Sequence, residues 1–146
     1  MTGLVEREIT LTVGPSRAFA VWTEHVGLWW PKGHSMSQED GARMAFEAGV
    51  GGRLVEHAPS GRELVWGRVL RWEPPTALSF SFVPGSPPGK ESEVDVTFAA
   101  LDDGGTRVRV VHRPAVLTDA EWEHSVAKFA RGWEMLTAAY LRAFGE

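Results

Sequence analysis

Five histidines and no cysteine bound the side-chain chemistry open to this 146-residue chain. Without thiols there are no disulfides and no thiolate metal or redox sites, and a reducing cytoplasm is the expected compartment. His112 stands out by phase: it alternates with Val108 and Val110, which turns it toward their apolar side of a strand. An inward imidazole is a candidate catalytic proton-transfer group or a handle for the polar head of a ligand. The plainer reading is a core histidine with both nitrogens satisfied. Glu56 shares a strand face with Leu54, and Arg68 shares one with Trp66 and Leu70. Facing inward together they would form a buried ion pair able to orient a carbonyl; the plainer reading is a pair at the sheet margin.

Trp29-Trp30-Pro31, followed by Gly33-His34-Ser35, sets two indoles beside a small-residue loop. They serve either as a gate over an apolar cavity or as a plug for one end of the core. Glu121 and His124 have the Glu-x-x-His spacing of half a di-iron carboxylate site, but the second copy and the further glutamates are missing. His25, His34 and His57 show no metal-ligand spacing. There is no Gly-x-Ser-x-Gly elbow, phosphate-binding loop or dinucleotide fingerprint, so no metal and no cofactor are expected. A net charge of −4, spread without long blocks of one sign, gives no field for nucleic acid or an anionic membrane. Arg107, Arg109 and Arg113 alternate on the outer face of one strand as a solvated convex surface. The longest apolar run is five residues, Ala18 to Trp22, too short for a membrane span, and Met1 to Glu6 lacks the regions of a secretory signal.

These residues need elements to hold them. Residues 4–13 alternate as a half-buried strand, with Arg7 breaking its apolar side, and Gly14-Pro15 ends it and starts a short helix carrying Phe19 and Trp22. A second short helix ends at Trp30. Six strand candidates follow at 43–47, 52–58, 63–73, 77–83, 92–100 and 106–113, separated by Gly51-Gly52, Pro59-Ser60-Gly61, Pro74-Pro75, the Pro- and Gly-rich 84–89 and Asp102-Asp103-Gly104-Gly105. Short connections make them an antiparallel meander. Thr118 and Glu121 then form a capping box, and Trp122, Val126, Phe129, Trp133, Leu136 and Tyr140 recur in steps of four and three, the stripe of one long helix.

The expectation is therefore one α+β domain over 1–146, a curved antiparallel sheet wrapped around a long C-terminal helix, with two short helices after the first strand. The order of elements and several strings resemble the START-like helix-grip superfamily (SRPBCC), and within it the C-terminal domain of the activator of the 90-kDa heat-shock-protein ATPase. The strings are Glu6-Arg7-Glu8-Ile9, Trp29-Trp30-Pro31, Gly51 to Glu56, Trp66 to Pro75, Thr106 to His112 and Gly132-Trp133. The resemblance implies a hydrophobic cavity between sheet and helix, and no single activity, because the superfamily holds carriers, cyclases, receptors and chaperone regulators. The expected contacts with a ligand are Trp29 and Trp30 at the corner, Phe46, Trp66, Phe80, Phe98 and Val110 on strands, Glu56, Arg68 and His112 as polar groups, and Phe129 and Trp133 on the helix. The first functional expectation is binding of a small apolar or aromatic molecule by a cytoplasmic monomer or homodimer. The others are a cyclase or dehydratase using His112 with Glu56 and Arg68, and a module that acts on a chaperone partner.

Overall fold

The computed structural model describes residues 4–83 and 89–145. Residues 84–88 of the turn expected at 84–89 and the N-terminal Met1-Thr2-Gly3 lie outside them. Strand β1 (Val5–Leu11) is followed by helices α1 (Pro15–Thr23) and α2 (Val26–Trp29). Strands β2 (Arg43–Phe46), β3 (Arg53–His57), β4 (Glu63–Glu73), β5 (Ala77–Phe82), β6 (Ser92–Ala100) and β7 (Thr106–Arg113) then lead to helix α3 (Asp119–Arg142). The strands form one seven-stranded antiparallel sheet in the order β1-β7-β6-β5-β4-β3-β2, curled around α3. The two short helices carry the chain from β1 at one edge to β2 at the other, and the meander walks back.

Local chemistry explains the ends of the helices. Pro15 sits in the first turn of α1, where its missing N–H costs nothing. Thr118 accepts a hydrogen bond from the Glu121 backbone while the Glu121 carboxylate accepts one from Thr118, the reciprocal cap expected at the start of α3. Trp122, Trp133, Leu136 and Tyr140 of the α3 stripe are buried, whereas Val126 and Phe129 are half-buried. Each fully buried large side chain contributes about 1.5–3 kcal/mol. Tyr140 also donates to the Ala18 carbonyl at 2.6 Å, tying α3 to α1. Arg7, out of place on the apolar side of β1, reaches the Ala130 carbonyl of α3 at 3.1 Å.

The sheet curves through two irregularities in β4. Opposite β3 the pairing passes from Val55↔Val65 to Leu54↔Gly67, leaving Trp66 as the extra residue, and opposite β5 it passes from Val69↔Phe80 to Arg71↔Ser79, leaving Leu70. At Gly67 the neighbouring strand approaches so closely that a Cβ would lie 1.7 Å from the Ser81 carbonyl oxygen, so only glycine fits. A bulge also resets which face each following residue occupies. Trp66 and Val69 are buried, while Arg68 between them is exposed. Of the two readings of Glu56 and Arg68, an inward ion pair or a pair at the sheet margin, neither is formed: Glu56 is fully buried, and the Arg68 guanidinium lies outside, near the Gly51 carbonyl at 3.4 Å. On the convex face Arg107 pairs with Glu8, Arg109 with Glu6, and Arg113 with Glu93 and Asp95.

Candidate functional site

Between the 33–38 loop, strands β4 and β5, and helix α3 lies a cavity of about 270 Å³. Its floor is buried and apolar, made by Trp66, Phe82, Trp133 and Leu136, with half-buried Phe129 beside them. Its mouth is polar: Gly33, Gln38 and Lys128 are exposed, and His34 and Ser35 are half-buried. Lys128, Gly132 and Leu136 follow one another at steps of four, so they share one face of α3 beside Phe129 and Trp133. Gly132 has no side chain there, and a Cβ built on it meets nothing within 4 Å.

Two polar constructions hold the walls. Glu56 accepts hydrogen bonds from the backbone N–H groups of Met36 at 2.8 Å and Ser37 at 3.1 Å, and from the Trp66 indole at 3.1 Å. One buried carboxylate thus ties the loop wall to the floor. Burial alone would raise its pKa, but those donors and the Ser37 hydroxyl outweigh it, and the carboxyl is held below its ordinary range. The same loop residues, Gly33, His34, Ser35 and Gln38, also border a wider cleft of about 660 Å³ beside α2 and β2, to which Trp30 and Glu56 contribute.

The second construction lies behind the floor. The Trp133 indole donates to Nδ1 of His112 at 2.9 Å, and Nε2 of His112 lies 2.6 Å from the Ser92 hydroxyl, which in turn donates to the Phe82 carbonyl at 3.2 Å. With Nδ1 accepting and the Ser92 proton directed at Phe82, the imidazole is neutral with its proton on Nε2. Burial pushes its pKa down to about 3. Phe82, Phe129 and Trp133 pack around its ring at centroid distances of 5.3, 4.4 and 6.1 Å, standing between it and the cavity they line. His112 has neither a free lone pair nor a free proton for a ligand. It does what a satisfied core histidine does.

Of the other expected contacts, Trp66, Phe129 and Trp133 meet in the cavity, while Phe80, Phe98 and Val110 are buried in the core beyond it. Phe46 borders a separate surface cleft with Met44 and His57. The two corner indoles part company. Trp29 is 5% exposed, packs against Trp22 and Tyr140 and donates to the Val21 carbonyl at 2.9 Å, which makes it a plug. Trp30 is half-buried, lies edge-on to Trp66 at 5.3 Å and donates to the His34 carbonyl at 2.6 Å, bracing the loop that walls the cavity. The set expected from sequence lacked Phe82 on β5, Gly33, His34, Ser35, Met36 and Gln38 on the loop, and Lys128, Gly132 and Leu136 on the helix. The helical ones were accessible to spacing, since 128, 132 and 136 run beside 129 and 133. The loop residues carry no periodicity to reveal them. Among the described residues no cluster of three or more histidines and carboxylates is placed to hold a metal ion, and no helix is long and apolar enough to cross a membrane.

The architecture recurs in solved structures. An anthrahydroquino-gamma-pyrone synthase, Txn09, complexed with SUM, is 32% identical over 84% of each chain, with a TM-score of 0.59. Protein MLL2253 from Mesorhizobium loti shares the fold at 18% identity, covering 96% of this chain and 95% of its own, with a TM-score of 0.70. PFC0360w, an HSP90 activator from Plasmodium falciparum, shares it at 19% identity over 90% and 88% of the two chains, with a TM-score of 0.61. A search of curated proteins gives no match. The family model described as Activator of Hsp90 ATPase homolog 1-like protein matches residues 12–144, and the chain belongs to that family, within the START-like helix-grip superfamily.

Proposed function

We propose that this chain binds a small flat aromatic or apolar molecule in the cavity between the 33–38 loop and helix α3. The carrying observation is the open volume over a buried aromatic floor, left open at Gly132 in the middle of a helix where glycine is costly. Ligand pockets are concave, mostly apolar and edged by a few convergent polar groups, and this cavity has that composition. The similarity to a synthase solved as a complex supports a ligand in the same fold. The test is calorimetric titration with 2-naphthamide, a neutral two-ring probe. Saturable binding that Gly132→Leu abolishes without loss of stability is the expected result, and absence of saturable binding both of this probe and of 2-naphthoate, the carboxylate of nearly the same shape, overturns the reading.

A second reading, favoured by the same similarity, is a ring-forming reaction in this cavity. His34, the imidazole that lines it, then takes the acid–base role in place of the occupied His112. A chaperone-facing role, which the family's description suggests, does not need the cavity, so Gly132→Leu would leave it intact.

A further inference from the structure

The cavity's apolar floor says what shape it takes, and its mouth says what charge. No carboxylate lines it, and the cation at its edge is Lys128. Lys128 has no ion pair among the described residues. The helix offers it none either: its neighbours three and four residues away are His124, Ser125, Arg131 and Gly132. Arg17, Lys32, Arg43, Arg68, Arg131 and Arg142 likewise have no ion pair among the described residues, but of these cations it is Lys128 that lines the cavity. His34 faces the same opening and packs against Trp30 and Trp66. Its ring nitrogens have no hydrogen-bond partner among the described residues. Burial lowers its pKa and the Lys128 charge lowers it further, so near neutral pH the imidazole is an uncharged group with one donor and one acceptor.

Building on the cavity as a ligand site, we propose that its ligand is an aromatic oxyanion, with the rings on the Trp66, Phe82 and Trp133 floor and a negatively charged oxygen at the mouth against Lys128 and the His34 imidazole. Lys128 supplies the charge and His34 a directed hydrogen bond. A charged group joined to rings held by a dry floor is partly desolvated, which strengthens its attraction to a nearby ammonium over that of a free surface pair. A carboxylate and an ionised phenol carry the same chemistry here.

Two probes of nearly equal shape and different charge test this: 2-naphthoate and neutral 2-naphthamide, titrated calorimetrically into the whole chain. The expected result is a preference of about tenfold for the naphthoate. It should shrink as ionic strength rises from about 0.01 M to about 1 M, because screening acts on the charge and not on the rings. Lys128→Met, an exposed change that keeps the aliphatic length, should bring the two affinities together by lowering that for naphthoate the more. His34→Phe, which keeps the aromatic wall, should lower naphthoate affinity more than naphthamide affinity. Equal binding of both probes by the unaltered chain overturns the oxyanion assignment and leaves the cavity reading standing. A preference that survives Lys128→Met also overturns it. Failure of both probes to bind overturns the cavity reading itself.

Discussion

His112 and His34 lie on opposite sides of one aromatic wall, and the wall divides them chemically. His112 is fully buried, with Trp133 on one nitrogen and Ser92 on the other. His34 is half-buried, borders open volume and has both ring nitrogens available among the described residues. Both have lowered pKa values for the same first reason, loss of water around the charged form. The same cause gives opposite consequences. In His112 it locks a neutral ring into a closed chain of hydrogen bonds that specifies the core, whereas in His34 it leaves a neutral ring with something to offer a ligand. Burial and phase alone do not identify a working histidine; the count of unused nitrogens does.

The sharpest way to break this contrast is to delete each ring. His112→Ala leaves a void and strands the Trp133 and Ser92 groups without their partner, so a loss of about 4 kcal/mol is expected in denaturant unfolding. His34→Ala removes a half-buried ring with no hydrogen bonds among the described residues and should cost less than about 1 kcal/mol. Comparable losses at the two positions would collapse the distinction.

The pH dependence of stability separates them next. His112 has a folded-state pKa of about 3 against an ordinary value of 6.5. Its contribution is therefore complete above about pH 6.5 and is lost as pH falls toward 3, because the unfolded chain takes up the proton first. Between about pH 7 and about pH 4 this amounts to about 3 kcal/mol. Glutamine at 112 does not titrate and still offers an acceptor to Trp133 and a donor to Ser92. His112→Gln should accordingly flatten the acid limb by about that amount in unfolding curves collected across pH. An unchanged limb would mean that His112 takes up its proton in the folded state near the ordinary pH.

How the two histidines became distinguishable shows what the sequence carried. Strand existence was legible from turn punctuation, and the α3 stripe and its cap from helical spacing, because those signals are local. Which way Arg68 points was not, since it depends on Trp66 being the extra residue at a bulge against β3, a property of the pairing of two strands. The inward turn of His112 was legible from its phase with Val108 and Val110. Its silence was not, because Trp133 and Ser92 are 21 and 20 residues away along the chain. His34 and the Glu56 clamp depend on a loop whose course is set by backbone N–H groups that every residue possesses. The floor residues Trp66, Phe129 and Trp133 were legible and the mouth was largely not.

Phe129 touches both regions, with one side of its ring 4.4 Å from the His112 centroid and another lining the cavity. A fully packed phenylalanine costs about 3–5 kcal/mol on truncation to alanine. Phe129→Ala should cost only about 2 kcal/mol, since part of its surface has no protein neighbour to lose. The check is the unfolding midpoint at unchanged denaturant slope. A loss in the full range would mean that the ring is packed on all sides and the cavity is smaller than its lining suggests.

The finest test is at Gly132. A glycine inside a helix is less favourable than alanine by about 1 kcal/mol, so its presence in the middle of α3 calls for a steric reason or a use for the space. Gly67 shows the steric case, with a carbonyl oxygen 1.7 Å from where its Cβ would stand. Gly132 shows no such obstruction, as its Cβ would meet nothing within 4 Å. Gly132→Ala should therefore stabilise the chain by about 0.5–1 kcal/mol in chemical unfolding, the opposite sign to Gly67→Ala. Extending the side chain to leucine should then trade ligand affinity for filled volume, with 2-naphthamide binding falling as the residue at 132 grows. A destabilised Gly132→Ala variant would mean that the helix and the loop meet more closely at this point, and that the glycine is there for packing, as at Gly67, and not for a guest.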